Sequence, residues 1–170
     1  MSDQQINIID DILPPDLCQE LIFKYKSLDR VDRTNKSMWD ANIVDYSTPI
    51  FVNDLNNHER GRLMECINNY LPQVYDFRFN AMFYRWTPYS YIPPHNDAHV
   101  NHALTLHLNE DYNARDGGVF MYRLEGEDHW TGVEPRYNRL VHLEGTVEHW
   151  VTPVTAQHDR LSLQIFNIAG

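Results

Sequence analysis

Cysteine is nearly absent from this sequence: Cys18 and Cys66 are the only two, and both fall in segments with helical spacing. A disulfide framework is therefore not expected, and reduced thiols of a cytosolic protein are. Long apolar runs are missing too. None approaches the roughly 18 residues that a membrane span requires, and the opening MSDQQINIIDD has neither the basic nor the apolar region of a secretory signal. Positive charge is scarce, with 14 Lys and Arg against 24 Asp and Glu and a formal net charge of −10. That balance argues against nucleic acid and against an anionic membrane as partners, and it is also an ordinary feature of soluble proteins. A cytoplasmic protein, monomeric by default, is the expectation.

What is present reads as globular. Hydrophobic content of 42% and charged content of 22% over 170 residues suit a single domain with a real core. No internal repeat or low-complexity segment interrupts it. The front part, residues 1–76, reads as a short strand at Ile6, Ile8 and Ile9 followed by helical support. Pro15 fits the first turn of a helix, where a missing N–H costs nothing. Leu17, Leu21, Ile22 and Tyr25 then recur at helical spacing. A second helix is predicted from Asn57 to Leu71, stopped by Pro72. Residues 30–50 between them, around Met38 and Trp39, are either a lid over a site or a long surface connection.

From residue 77 the hydrophobic period changes to two. Strands are predicted at 77–86, 91–97, 103–109, 118–123, 139–143, 149–154 and 161–168, separated by Thr87-Pro88, Gly117-Gly118, Gly145 and Pro153 through Asp159. Short strands after two helices imply an α+β, mainly β chain: a double-stranded β-helix or jelly roll over 77–170, with the N-terminal helices packed on one sheet. In Arg160-Leu161-Ser162-Leu163-Gln164-Ile165-Phe166 one face is apolar and the other mostly polar, and Ala103 to Asn109 repeats the pattern. If helices cover the apolar face, the polar face is free to line a cavity inside the barrel. An ordinary sandwich with solvated polar faces is the alternative.

Four residues carry the chemistry. His95 and Asp97 are two apart, which on a strand turns both side chains to one face. His149 follows in EHW and Arg160 in RLS. Two imidazoles and a carboxylate are the donors of the facial triad that holds non-haem Fe(II) with open positions, and Arg160 supplies a permanent cation able to fork onto a carboxylate. His-x-acid alone is weak, because with nine His and 24 acidic residues roughly one such pair arises by chance. A rival exists at His142 and Glu144. Too little chain follows Glu144 to complete a barrel, and it abuts the turn at Gly145, so His142 is read as a strand residue.

At these residues the chain resembles the Fe(II)/2-oxoglutarate-dependent dioxygenases, specifically the prolyl 4-hydroxylase-like branch. The resemblance runs over residues 77–168 and, more weakly, the N-terminal strand and helix. It is carried by FYRWTPYSYIPPHND, LTLHLNEDYNARDGGVF, NRLVHLEGTVEHWVTPV and DRLSLQIF. The family pattern of HxD, a Leu-Asn strand followed by Gly-Gly, a distal His and a basic residue in R-x-S occurs complete and in order. The resemblance implies that His95, Asp97 and His149 bind iron and that Arg160 pairs with the C5 carboxylate of 2-oxoglutarate. Ser162 would be a second donor there. Tyr84 would line the same pocket, and His107 would stand where relatives carry a tyrosine on that carboxylate. It further implies O2 as oxidant, ascorbate as a reductant, succinate and CO2 as co-products, and a prolyl residue of a peptide or protein as substrate. A free amino acid or other small molecule is the alternative substrate. Alternatives to the activity are a cupin-type metal enzyme without 2-oxoglutarate, to which Arg160 would be superfluous, and a non-catalytic domain of the same fold.

The remaining histidines and arginines have plainer roles. His99 and His102 are read as surface or packing residues, and His58, His129 and His158 as exposed. Trp86, Trp130 and Trp150 are read as core or rim packing, whereas Trp39 could touch substrate. Arg78, Arg85, Arg123, Arg136 and Arg139 alternate with aromatics but, in so acidic a chain, are read as strand-surface arginines.

Overall fold

A computed structural model describes residues 5–27, 32–39, 43, 47–72 and 79–168. Among these, two antiparallel sheets face each other. The larger runs in the order β1-β9-β6-β11-β4-β3-β2 and the smaller in the order β5-β10-β7-β8. The strands are β1 (Ile6–Ile9), β2 (Arg33–Thr34), β3 (Ile50–Asp54), β4 (Phe79–Trp86), β5 (Ile92–His95), β6 (Val100–His107), β7 (Phe120–Arg123), β8 (Thr131–Val133), β9 (Leu140–Glu144), β10 (Glu148–Val151) and β11 (Arg160–Ile168). The predicted jelly roll is the fold observed. No helix among the described residues is long and apolar enough to cross a membrane.

Alternation along β11 decides what faces where. Leu161, Leu163 and Ile165 point outward to join Ala81, Phe83, Leu104, Leu106 and Leu108 in one buried cluster. Helices α1 (Pro15–Lys26) and α3 (Asn57–Asn68) cover it with Leu17, Leu21, Tyr25, Leu63 and Ile67. Tyr25 stacks on Phe83 at 5.2 Å between ring centroids. Each such side chain contributes about 1.5–3 kcal/mol by leaving water. The opposite face of β11, with Arg160, Ser162 and Gln164, is thereby turned into the space between the sheets. In β6 the matching inward residues are Thr105 and His107, which register with Gln164 and Ser162.

The helices are fixed to each other by one buried carboxylate. Asn56 caps α3 by accepting from the Glu59 N–H at 3.0 Å, and Glu59 returns the bond by accepting from the Asn56 N–H at 2.9 Å. The same carboxylate accepts from Lys24 and Tyr25 of α1. Although burial pushes Glu59 up, the Lys24 and Tyr25 bonds outweigh it and hold the group below its ordinary value.

Several expectations need correction. The expected leading strand is β1, but the front part also adds β2 and β3 to the larger sheet. The two-residue β2 and the five-residue β3 are too short for their period to stand out in polar surroundings. Residues 33–50 also contain a one-turn helix, α2 (Asn35–Met38). β6 begins at Val100 rather than Ala103, and β8, three residues with a central glycine, was not foreseen. The second helix ends at Asn68 instead of Leu71. Cys18 and Cys66 lie in α1 and α3, both unpaired.

Candidate active site

His95 and His149 meet because the two strands that carry them are neighbours. β5 pairs with β10 antiparallel, and His149 stands directly opposite His95 in the register. Pro93 and Pro94 precede His95 without breaking the sheet, because β5 is its edge and needs no second row of donors. Asp97 was expected on the same strand but lies past its end. Its N–H bonds the Gly145 carbonyl at 2.8 Å, and its own carbonyl accepts from the Val100 N–H at 2.8 Å. Gly145 permits this close approach, since a Cβ there would stand 2.0 Å from the Val100 carbonyl oxygen and 2.7 Å from that of Asp97.

Ligand atoms of His95, Asp97 and His149 all lie within 4.8 Å of one another. The imidazole tautomers are set by the backbone. His95 Nδ1 bonds the Pro93 carbonyl at 2.8 Å, and His149 Nδ1 bonds the Val147 carbonyl at 3.0 Å. A carbonyl only accepts, so each Nδ1 must carry its proton and each Nε2 lone pair is left to point inward, as a ligating imidazole requires. His149 Nε2 is 3.4 Å from Asp97 Oδ2. Burial, reinforced by the neighbouring His149, pushes His95 down and keeps it neutral. Burial pushes Asp97 up, yet the two imidazoles beside it, His149 foremost, outweigh that push, so its carboxyl sits below the usual range. Two imidazole nitrogens and a carboxylate within reach of one point suit a divalent cation, so the donor set fits ferrous iron. Phe120 stacks on the His149 ring at 5.4 Å and holds it from the opposite side.

These three residues open into a cavity of about 540 Å³. Met82, Tyr84, Trp86, Ile92 and Val151 form apolar and aromatic walls, and Thr105 and Gln164 supply polar anchors. Thr105 donates to Gln164 Oε1 at 2.8 Å and so orients that amide. Arg33, Met38, Trp39 and Ile43 also line the cavity. His99 is exposed, as its surface reading expects, and also lines the cavity.

Arg160 lies deeper, 4% exposed. Its Nη2 is 3.2 Å from His107 Nδ1, which must accept because a guanidinium only donates. Burial, with the charge of Arg160 beside it, pushes His107 well down, so the ring is neutral with its proton on Nε2. His107 Nε2, Arg160 Nε and Arg160 Nη1 are all buried without a hydrogen-bond partner. Three unanswered donors around one buried cation are costly unless an anion accepts from them. Burial lowers the pKa of Arg160 to about 9, so it remains cationic at neutral pH. Ser162 Oγ, predicted as a further donor, accepts from Trp86 Nε1 at 2.9 Å. Tyr84 is buried on the cavity wall, and desolvation holds its hydroxyl protonated.

The other singled-out residues stand apart from this site. His142 is on the outward face of β9, where its Nδ1 meets Asn7 Nδ2 and its Nε2 meets His102 Nδ1, each at 3.0 Å. It is a strand residue, as read. His58, His129 and His158 are exposed. Arg85, Arg123 and Arg139 pair with Asp159, Glu148 and Asp10, and Arg136 reaches Asp10; Arg78 lies outside the described residues. Trp130 and Trp150 pack edge to face at 6.0 Å. What sequence reasoning missed is Trp86, whose ring lies over the Arg160 guanidinium at 4.8 Å. Its register opposite Arg160 could have been inferred only once β4 and β11 were known to pair.

No family model matches this chain, and no curated protein does. Solved structures do. The chain is similar to a prolyl-4-hydroxylase of Pseudomonas putida, with a TM-score of 0.71 and 22% identity over 98% of this chain and 94% of that one. It is similar to a prolyl hydroxylase from Trichoplax adhaerens in complex with a hypoxia inducible factor oxygen degradation domain peptide fragment, with a TM-score of 0.76 and 15% identity over 98% and 84%. HygX from Streptomyces hygroscopicus, with nickel and 2-oxoglutarate bound, matches with a TM-score of 0.66 and 12% identity over 95% and 82%. The fold is thus that of the 2-oxoglutarate and Fe(II) oxygenases, with prolyl hydroxylases among its matches.

Proposed function

We propose that the protein is an Fe(II)- and 2-oxoglutarate-dependent dioxygenase that hydroxylates a C–H bond, with a prolyl residue of a peptide or protein as its substrate. One observation carries the reading: a His-Asp-His donor cluster lines a cavity whose wall residue Trp86 lies directly over a buried guanidinium with unanswered donors. His95, Asp97 and His149 are the residues that would hold the iron. Bound there with 2-oxoglutarate and O2, it would supply the oxidising chemistry that inserts one oxygen atom into the substrate and releases succinate and CO2, with ascorbate as a reductant. Arg160 and His107 anchor the distal carboxylate of 2-oxoglutarate, and Ser162 and Tyr84 line its pocket. A carboxylate drawn from water into the space between the sheets needs such a paired, hydrogen-bonding cation. The apolar walls, with Trp39 and Met38 among them, give the primary substrate a largely apolar surface beside the reacting centre.

The prolyl assignment is supported by the Pseudomonas and Trichoplax likenesses, the second of which holds a peptide. Fold alone does not choose a substrate. Fe(II)-dependent conversion of 2-oxoglutarate to succinate tests the class, with His149→Ala expected to abolish turnover and Arg160→Ala to raise the 2-oxoglutarate requirement at least about tenfold. Equal succinate release by all three proteins rejects the site. A panel of proline-containing peptides and free proline, read by mass spectrometry for the gain of one oxygen, tests the substrate; gain on free proline alone selects the small-molecule alternative.

A further inference from the structure

Trp86 separates two groups that the proposed reaction must bring together. Its side chain forms part of the cavity wall with Tyr84, His95, Asp97 and His149. The same ring lies over Arg160, whose guanidinium carbon is 4.8 Å from the ring centroid. Arg160, Ser162 and His107 are not among the residues that line the cavity. A carboxylate entering from the metal side therefore meets the indole before it meets the guanidinium.

The indole is held where it stands by contacts that can be exchanged. Its Nε1 donates to Ser162 Oγ at 2.9 Å, and the rings of Tyr84 and Trp39 flank it at 6.1 and 6.5 Å. Its attraction to Arg160 is the pull of a cation on a ring face. A carboxylate offers Arg160 charge-assisted hydrogen bonds, which are stronger than either contact that it would replace. Arg160 Nε and Nη1 and His107 Nε2 are already directed at no other acceptor.

We propose that Trp86 is a positioning residue that gates Arg160: its indole swings off the guanidinium to admit the distal carboxylate of 2-oxoglutarate, and Ser162, released by Nε1, turns its hydroxyl onto that carboxylate. This inference rests on the assignment of Arg160 as the co-substrate anchor. Its consequence is arithmetical. Apparent affinity for 2-oxoglutarate is reduced by the fraction of molecules in which the indole is displaced, so weakening the latch tightens binding and speeds entry.

The test uses the full chain loaded with Mn(II), a redox-silent stand-in, so that binding is read without turnover. Wild-type tryptophan fluorescence changes on mixing with 2-oxoglutarate, and the observed rate saturates at high co-substrate, because opening of the indole becomes limiting. Trp86→Phe, which keeps an aromatic ring but lacks the N–H, loses that rate limit, as read by the remaining tryptophans. It also binds 2-oxoglutarate about three- to tenfold more tightly in calorimetry, the scale of one net hydrogen bond. Ser162→Ala, which removes the latch acceptor and leaves the indole in place, raises the saturating rate several-fold. A rate that rises linearly without limit in the wild type overturns the proposal, as does a rate that still saturates at the wild-type value in Trp86→Phe. If Arg160→Ala abolishes 2-oxoglutarate binding while Trp86→Phe leaves the affinity unchanged, the gate is wrong and the proposed function stands. If the wild type does not bind 2-oxoglutarate at all, both fall.

Discussion

Gly118 makes room for Arg160. A Cβ on Gly118 would stand 2.5 Å from Arg160 Cδ, and the residue has φ +63, a region that L side chains rarely adopt. The Gly117-Gly118 pair that marks a turn in the sequence therefore also shapes the bed of the buried cation. Gly118→Ala is expected to cost about 1–3 kcal/mol of stability, from left-handed backbone and a displaced arginine. It should raise the 2-oxoglutarate requirement about tenfold and leave Mn(II) affinity unchanged. Thermal melts and paired metal and co-substrate titrations check this; an unchanged co-substrate requirement would show that Arg160 tolerates the shift.

Gly145 does for Asp97 what Gly118 does for Arg160. A methyl group there would press on the Val100 and Asp97 carbonyls and push the carboxylate away from the two imidazoles. Gly145→Ala should weaken metal binding about 10- to 100-fold, the scale seen when groups that orient ligands are disturbed. Titration with Mn(II), monitored by calorimetry, reads this directly.

Buried His142 makes stability depend on pH. Burial, with His102 nearby, lowers its pKa to about 4, against an ordinary value of 6.5. The unfolded chain binds this proton more readily than the folded one, so its contribution is complete above about pH 6.5 and is lost as pH falls from there to about 4. The slope from this one group is at most about 1.4 kcal/mol per pH unit. His142→Gln, which cannot charge, should flatten the curve in that window by this amount. Urea melts at pH 7, 6, 5 and 4 on both proteins give the difference, and parallel curves would assign the effect to other groups.

Leu163, fully buried under the helices, carries the outward face of the strand whose inward face holds the co-substrate anchor. Leu163→Ala should destabilise the fold by about 2–5 kcal/mol. With no contact to the cavity, it should leave the 2-oxoglutarate requirement of the remaining folded protein within about twofold. Denaturant melts and steady-state succinate assays on the same preparation separate the two effects.

Part of this molecule was legible in its residues. The alternation in RLSLQIF told which side chains leave water and which face inward, because a strand has a period of two whatever it pairs with. The spacing of His95 and Asp97, and the order in which His149 and Arg160 follow, marked three residues whose ligand atoms the fold gathers and an arginine that it buries against Trp86. Where the reading slipped, the signal was short or non-local. β2, β3 and β8 have two to five residues each, too few for a period to emerge from polar surroundings. Asp97 was placed on a strand that ends two residues earlier, because the Gly145 carbonyl that captures its N–H lies 48 positions away in sequence.

By itself, the order of residues determined local things: where apolar side chains recur, which donors the chain possesses, and where glycine and proline force it to turn. Tertiary structure alone decided which of those donors lack an answer. Arg160 and His107 become unsatisfied only when β6, β4 and β11 bury them behind Trp86, since solvation is lost through the whole fold and not through any neighbour in the chain.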